Sequence, residues 1–303
     1  MREYLLNLAT KITANPSENP SLFYQQSKNI SPLLPENIKH ILQTEEKYFF
    51  LFHTNITDTD INNTQPHFGE TTILARIQSI LLSFLGEMIA YEAEGNGYLF
   101  QDITPNIHMA ALQTSVGSNI ELEIHTEQAF SPLRPDFLSL ACLKGDPNAW
   151  TYILPVDILL QHLSVVETEL LCKPLWTIGI DLSFKISGKS NEIRGPISIL
   201  QKSDGKYPYL VFDQDLMTGI TKEAQQMIPR IVDIYKHFRI QICLQPGDIL
   251  ILDNRFVVHG RSPFSPKFDG NDRFLIRAFA IQNLLKMEQY MCLKRRMVLT
   301  QYS

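Results

Sequence analysis

His125 and Glu127 stand two residues apart in the run Glu123-Ile124-His125-Thr126-Glu127. In a strand such residues leave on one face, so an imidazole and a carboxylate project together. They supply two of the three side chains in a two-histidine, one-carboxylate set, which holds iron(II) and leaves other coordination positions open. Alone the pattern decides nothing. With 8 His and 32 acidic residues, roughly 0.8 His-x-acid matches arise by chance, and a salt-bridged surface strand reads as well. His259, which follows Pro246-Gly247-Asp248 and the apolar run Ile249–Leu252, offers a third ligand from a distant strand. Arg273 opens another apolar run, Phe274-Leu275-Ile276. An arginine entering a buried strand is costly without an anion beside it. A five-carbon dicarboxylate chelating the metal through its keto-acid end would present its distal carboxylate there. Arg277 lies on the same strand face about 13 Å further on, at ~3.3 Å per residue, too far to share that carboxylate and so open to one on a substrate. The competing assignment for both arginines is pairing with Asp253, Asp269 or Asp272.

The elements that must position these groups are legible in outline. Residues 1–100 read as mostly helical, with an Asn/Thr/Asp-rich surface loop from Asn55 to Gln65. Apolar residues recur at helical spacing from Ile73 to Met88, predicting one helix from Ile73 to Ala90 that packs on one face. From about Tyr98 the texture changes to short runs: Ile120–Ile124, Phe137–Cys142, Trp150–Leu154, Trp176–Ile186, Tyr209–Phe212, Ile240–Cys243, Ile249–Leu252 and Phe274–Ile281. Gly, Pro, Asn and Asp punctuate them, as in a sandwich or barrel. A helix from Lys222 to Phe238 interrupts the series, with Pro229 expected to kink it. The expected fold is mainly β within an α+β class. A double-stranded β-helix (jelly roll) at 96–303 is braced by a helical part at 1–95 and the inserted helix, all in one domain.

Composition narrows the partners. A net charge of −5 with scattered basic residues, apart from Lys294-Arg295-Arg296, argues against nucleic acid. The four cysteines, Cys142, Cys172, Cys243 and Cys292, form no CxxC pair, which argues against a zinc site or disulfide framework and fits a reducing cytoplasm. The N-terminus lacks the features of a signal peptide, and Arg76, Gln78 and Glu87 interrupt the most apolar segment, so no membrane span is expected.

Two blocks of residues carry a resemblance. The first is His125-Thr-Glu127-Gln-Ala-Phe130 followed by Arg134-Pro-Asp136-Phe-Leu-Ser-Leu-Ala-Cys142. The second joins Pro246-Gly-Asp248-Ile-Leu-Ile-Leu-Asp253-Asn-Arg255, His259-Gly-Arg261-Ser-Pro263-Phe and Asp269-Gly-Asn-Asp272-Arg273. Together they resemble the clavaminate synthase-like, TauD-related iron(II)/2-oxoglutarate oxygenases, and among them the free amino-acid hydroxylases. The resemblance implies His125, Glu127 and His259 as iron ligands and O2 as co-reactant. It implies Arg273 on the distal carboxylate of 2-oxoglutarate, helped by the Thr151 hydroxyl, for which a backbone-bonded threonine is the plain alternative. Arg277 resembles the arginine that holds a substrate's α-carboxylate. Because Glu127 fills the position that related halogenases leave to chloride, halogenation is not expected.

Asp213-Gln-Asp215 resembles the acidic pair that receives the guanidinium in arginine hydroxylases, with a polar loop as the alternative. Ser115 and Gln113 are candidates for the same pocket, or ordinary strand polar residues. The arginine hydroxylases carry Gln-x-Gly ahead of the first block, but this chain has Gly95-Asn96-Gly97, leaving either Glu94 to take a substrate ammonium or the substrate to differ. The expected substrate is a free arginine- or lysine-like amino acid, hydroxylated at an unactivated C–H with release of succinate and CO2. Desaturation or cyclisation of an amino-acid-derived metabolite, a non-catalytic binding jelly roll and a zinc hydrolase are the rival readings.

Overall fold

The structure, a computed structural model, describes residues 2–44, 47–58, 61, 65–182, 184 and 192–302. In chain order its first strands are β1 (Phe49–His53), β2 (Glu87–Tyr91), β3 (Phe100–Ile103), β4 (Leu122–His125), β5 (Phe137–Lys144) and β6 (Thr151–Pro155). An excursion carries β7 (Trp176–Ile178), β8 (Arg194–Ile197), β9 (Leu200–Gln201), β10 (Tyr209–Leu210) and β11 (Met217–Gly219). The chain then returns as β12 (Ile240–Ile242), β13 (Asp248–Asp253), β14 (Val257–Arg261), β15 (Phe274–Ile281), β16 (Met291–Cys292) and β17 (Met297–Val298).

Two sheets matter for the site. An 8-stranded sheet runs β1-β13-β5-β15-β2-β17-β16, with β3 also paired to β15. A 4-stranded sheet runs β12-β6-β14-β4. The period of two in β13 explains how the large sheet is covered on both faces. Leu250 and Leu252 join an apolar cluster shared with Ile124, Ile153 and Val257 of the smaller sheet, whereas Ile249 and Ile251 face the other way. That second cluster packs the sheet on Leu5, Leu8, Phe23, Ile77 and Leu81 of the N-terminal helices. In β15 the same alternation sends Leu275 and Phe279 between the sheets and Phe274, Ile276 and Ala278 toward the helices. Arg277, midway between Leu275 and Phe279, therefore faces inward.

Several expectations are corrected. The helix beginning at Ile73 is capped by Thr72, whose side chain accepts from the Ala75 N–H, and ends at Leu85 rather than Ala90. A Cβ on Gly86 would come within 2.5 Å of the Ile281 carbonyl oxygen, so this residue allows the chain to pass against β15 and continue as strand β2. The segment 1–95 is therefore not simply a helical brace, since β1 and β2 both belong to the large sheet. Of the run Trp176–Ile186, the strand covers Trp176–Ile178, Leu182 and Phe184 are helical, and residues 183, 185 and 186 lie outside the described residues. The expected loop from Asn55 to Gln65 has no regular structure at 55–58, 61 and 65, and its other residues lie outside those described.

The inserted helix does run from Lys222 to Phe238, with Thr221 capping it and Pro229 inside. Its buried face holds Ala224, Met227, Ile228, Ile231, Ile234 and Tyr235, but Phe238 is exposed and stacks on His162 at 3.6 Å. Among the described residues no helix is long and apolar enough to cross a membrane.

Candidate functional site

His125 closes β4 and His259 sits in the middle of β14, and the antiparallel ladder sets them directly opposite. Cross-strand partners project on the same side, and the two imidazole centroids are 4.4 Å apart. His125 Nδ1 lies 2.8 Å from the Glu123 carbonyl oxygen. A carbonyl only accepts, so the proton sits on Nδ1 and the Nε2 lone pair is left for a metal. His259 is buried, and burial, reinforced by the charges of His125 and Arg277, holds it well below the usual histidine range. It is therefore neutral, as a ligand must be.

Glu127 lies beyond the end of β4, so the strand alternation expected to align it with His125 does not aim it. Asn254 does. Its Oδ1 accepts from the Glu127 N–H at 2.7 Å, and its Nδ2 donates to the Glu127 carbonyl at 3.1 Å and the Pro135 carbonyl at 2.8 Å. Thr126 anchors the preceding residue, donating to the Leu210 carbonyl and accepting from the Phe212 N–H. Gln128 then turns the chain at φ 52°. As a result Glu127 Oε2 comes to 3.8 Å from His259 Nε2, and one ligand atom each of His125, Glu127 and His259 lie within 4.8 Å of one another.

These residues open into a cavity of about 570 Å³ between the sheets, which Arg273, Thr151, Arg277, Asp213, Asp215, Ser115, Gln113 and Glu94 also line. Such a volume suits two small organic molecules side by side. Arg273 is buried, and burial brings its guanidinium down to about 10. Its alternative partners are engaged elsewhere, with Asp253 held by Arg255, Asp272 accepting from the Lys267 N–H and Asp269 from the Asn271 N–H. Among the described residues Arg273 makes no hydrogen bond or ion pair. Thr151 Oγ1 is likewise buried without a hydrogen-bond partner, against the backbone-bonded alternative. A buried cation and a buried hydroxyl, both lacking partners and lining one cavity, fit an anion. Here the donor set fits iron(II) and the distal carboxylate of 2-oxoglutarate.

At the other side of the metal set Arg277 donates through Nε and Nη2 to Gln101 Oε1, at 3.0 and 2.5 Å. It pairs with Glu94, and its Nη1 lies 3.5 Å from Glu127 Oε1. Burial pushes the Glu94 carboxyl up to about 7 against the opposing pull of Arg277, and Gln128 donates to its other oxygen at 2.8 Å. Arg277 and Glu94 thus form a cation–anion pair suited to the carboxylate and ammonium of an amino acid.

The remaining candidates line the cavity as expected, but none of them stands on a regular strand. Asp213 and Asp215 lie past the end of β10 and not on one strand face: Asp213 forms an isolated antiparallel bridge with His125, and Asp215 is in the turn that follows. Asp213 Oδ1 accepts from the Asp215 N–H at 3.0 Å and the Leu216 N–H at 2.8 Å. It is buried, with its carboxyl pushed up to about 6 by burial despite nearby His125, whereas Asp215 is exposed at the cavity wall. Gln113 is committed to the fold, donating to the Glu121 carbonyl and accepting from the Glu123 N–H, both at 3.0 Å. Its amide pins a turn against β4. Ser115 is also in a turn, and its carbonyl accepts from Arg261. Asn254, Gln101, Gln128 and Arg261 were not singled out by sequence reasoning. Gln128, Asn254 and Arg261 stand inside the quoted motifs, but nothing in an isolated Gln, Asn or Arg says which group it will meet.

Residues 193–279 match the family model described as taurine catabolism dioxygenase TauD, TfdA family. The chain is 50% identical over 214 residues to L-lysine 3-hydroxylase of Catenulispora acidiphila, covering 70% of this chain and 60% of that protein's length. It is 30% identical over 233 residues to enduracididine beta-hydroxylase of Streptomyces hygroscopicus, covering 69% and 67%. Among solved structures, asparagine oxygenase in complex with Fe(II), 2S,3S-3-hydroxyasparagine and succinate superposes with a TM-score of 0.88 at 26% identity, covering 98% of this chain and 95% of that one. Family model, relatives and fold agree with the histidine–carboxylate geometry: the chain belongs to the TauD/TfdA family of dioxygenases.

Proposed function

We propose that the protein is an iron(II)/2-oxoglutarate-dependent oxygenase that hydroxylates an unactivated C–H of a free basic amino acid, lysine-like or arginine-like. The observation that carries this reading is that Arg273 and Thr151, whose side chains have no hydrogen-bond partner among the described residues, line the same cavity as His125, Glu127 and His259. A zinc hydrolase has no use for that cation. A binding protein that had lost catalysis would not be expected to keep all three ligands. The substrate class is supported by the acidic wall of Asp213 and Asp215, and by the lysine 3-hydroxylase that is 50% identical over the matched region.

In this reading His125 Nε2, His259 and Glu127 hold the iron, and Arg273 with Thr151 holds 2-oxoglutarate. Bound iron with 2-oxoglutarate and O2 supplies the oxidising chemistry, releasing succinate and CO2. The chain's own contribution is aim and exclusion. Arg277 receives the amino acid's carboxylate, Glu94 its ammonium, and Asp213 and Asp215 its basic end, which fixes one stretch of the aliphatic chain over the metal. Phe130, Leu138 and Leu140 on the cavity wall keep water from that stretch. The two sheets read as a double-stranded β-helix forming one domain over 1–303, and the free cysteines support a cytoplasmic location.

The test is incubation with iron(II), 2-oxoglutarate, O2 and a panel of free amino acids. Lysine or arginine should gain one oxygen atom with one succinate formed per product. Oxygen transfer only to neutral or acidic amino acids would overturn the substrate class, and no succinate with any of them would count against the oxygenase.

A further inference from the structure

We infer that Arg261 is a second cation of the 2-oxoglutarate site, sharing the distal carboxylate with Arg273 and Thr151. The inference rests on the cosubstrate reading above and adds a residue to it. Arg261 ends β14 and lies directly opposite Thr151 in the ladder with β6, so the two side chains leave the small sheet on the same side. Arg273 approaches from the large sheet, immediately before β15. The two guanidinium carbons lie 5.1 and 5.9 Å from the centroid of one ring, that of Phe264, so both cations gather at one end of the cavity.

The donors of Arg261 are only partly used. Nε donates to the Ser262 carbonyl and Nη1 to the Ser115 carbonyl, each at 3.2 Å. Among the described residues Nη2 is buried with no hydrogen-bond partner, as is Thr151 Oγ1. Among the described residues no carboxylate pairs with either arginine. Two neighbouring buried cations repel one another, and their unused donors are costly. One carboxylate set between them removes both faults, because a guanidinium presents its N–H groups in a planar fork matched to carboxylate oxygens. A wall support alone would need the two carbonyl bonds and not the third donor, and a lysine would make one of them.

The experiment compares two ligands on the iron-loaded protein without oxygen: 2-oxoglutarate, and 2-oxopentanoate, which carries a methyl in place of the distal carboxylate. Affinities are measured by calorimetry for wild type, R261Q, R261K and R273Q, with melting temperatures alongside. For R261Q we expect 2-oxoglutarate to weaken by about 10-fold or more, the loss of a charged hydrogen bond, and 2-oxopentanoate to be unchanged. R261K keeps the charge without the fork and should show the same selectivity with a smaller loss, which carries the test if R261Q folds poorly. Equal weakening of both ligands, or of neither, overturns the role of Arg261. If R273Q loses 2-oxoglutarate selectively while R261Q does not, the cosubstrate reading stands and this inference falls. If wild type shows no preference for 2-oxoglutarate, both fall.

Discussion

Glu127 meets His125 and His259 beyond the end of the strand because another residue, Asn254, holds its backbone there. Its side chain makes three hydrogen bonds to the backbone of Glu127 and Pro135 from a buried position. Replacing Asn254 with Ala leaves those groups unsatisfied, at a cost of about 1–3 kcal/mol. Calorimetric unfolding should register that loss together with weaker iron binding, and unchanged iron affinity would mean that Glu127 is aimed by something else. That His125, Glu127 and His259 come together was legible from residue type, spacing and motif. Asn254 was not, because its role depends on backbone groups 119 and 127 positions away in sequence. Gln113, read as a pocket residue, does line the cavity, but the sequence did not show that its amide is held by the backbone of Glu121 and Glu123.

At the scale of elements, the boundary at Gly86 is a tight one. A Cβ there meets the backbone of Ile281 at 2.5 Å, and backbone cannot swing aside as a side chain can. Gly86→Ala should therefore destabilise by about 1–3 kcal/mol in urea unfolding, and a neutral result would contradict the packing of β2 on β15. The turn ahead of the same helix holds a pH-sensitive group. Glu70 accepts from Ser17 and lies near Asp102, and burial, then the Asp102 charge, raises its carboxyl from 4.5 to about 7. A raised acid binds its proton more tightly in the folded chain, so the folded state holds more protons between those values. Stability from this group is present below pH 4.5 and is lost as pH rises through about 7. Glu70→Gln should melt with a flatter pH profile over that window, and an identical slope would remove Glu70 as its source. The strand pattern was readable wherever alternation or a β-branched run was long, as at Phe274–Ile281 and Ile249–Leu252. It failed at Glu87–Tyr91, where a helical spacing continued on paper past a glycine whose neighbour across the sheet the sequence does not reveal.

For the whole molecule, the two-sheet plan follows from inward alternation on one sheet against helix-facing alternation on the other. The participation of the first hundred residues was hidden because β1 and β2 are short and lie among helices. The ends of the chain are joined by Arg296, which donates to the Met88 carbonyl at 2.7 Å, pairs with Glu87 at 2.8 Å and stacks on Tyr24 at 3.6 Å. Arg296→Ala should cost about 2 kcal/mol through the lost charged hydrogen bonds and cation–π contact. Iron affinity should stay as in wild type, since none of these contacts touches the cavity, and a parallel loss of iron would show that the C-terminal strands support the site directly.

The central claim is that one cavity holds iron on His125, Glu127 and His259 and 2-oxoglutarate on Arg273 and Thr151. Its most direct test is spectroscopic: add iron(II) and then 2-oxoglutarate to the protein without oxygen, and look for the weak visible charge-transfer band of a 2-oxoacid chelated to iron(II). The account predicts a band that appears with 2-oxoglutarate, shifts when lysine or arginine is added, and is lost when His125 and His259 are both replaced by Ala. A protein that binds iron yet gives no such band with 2-oxoglutarate would contradict it.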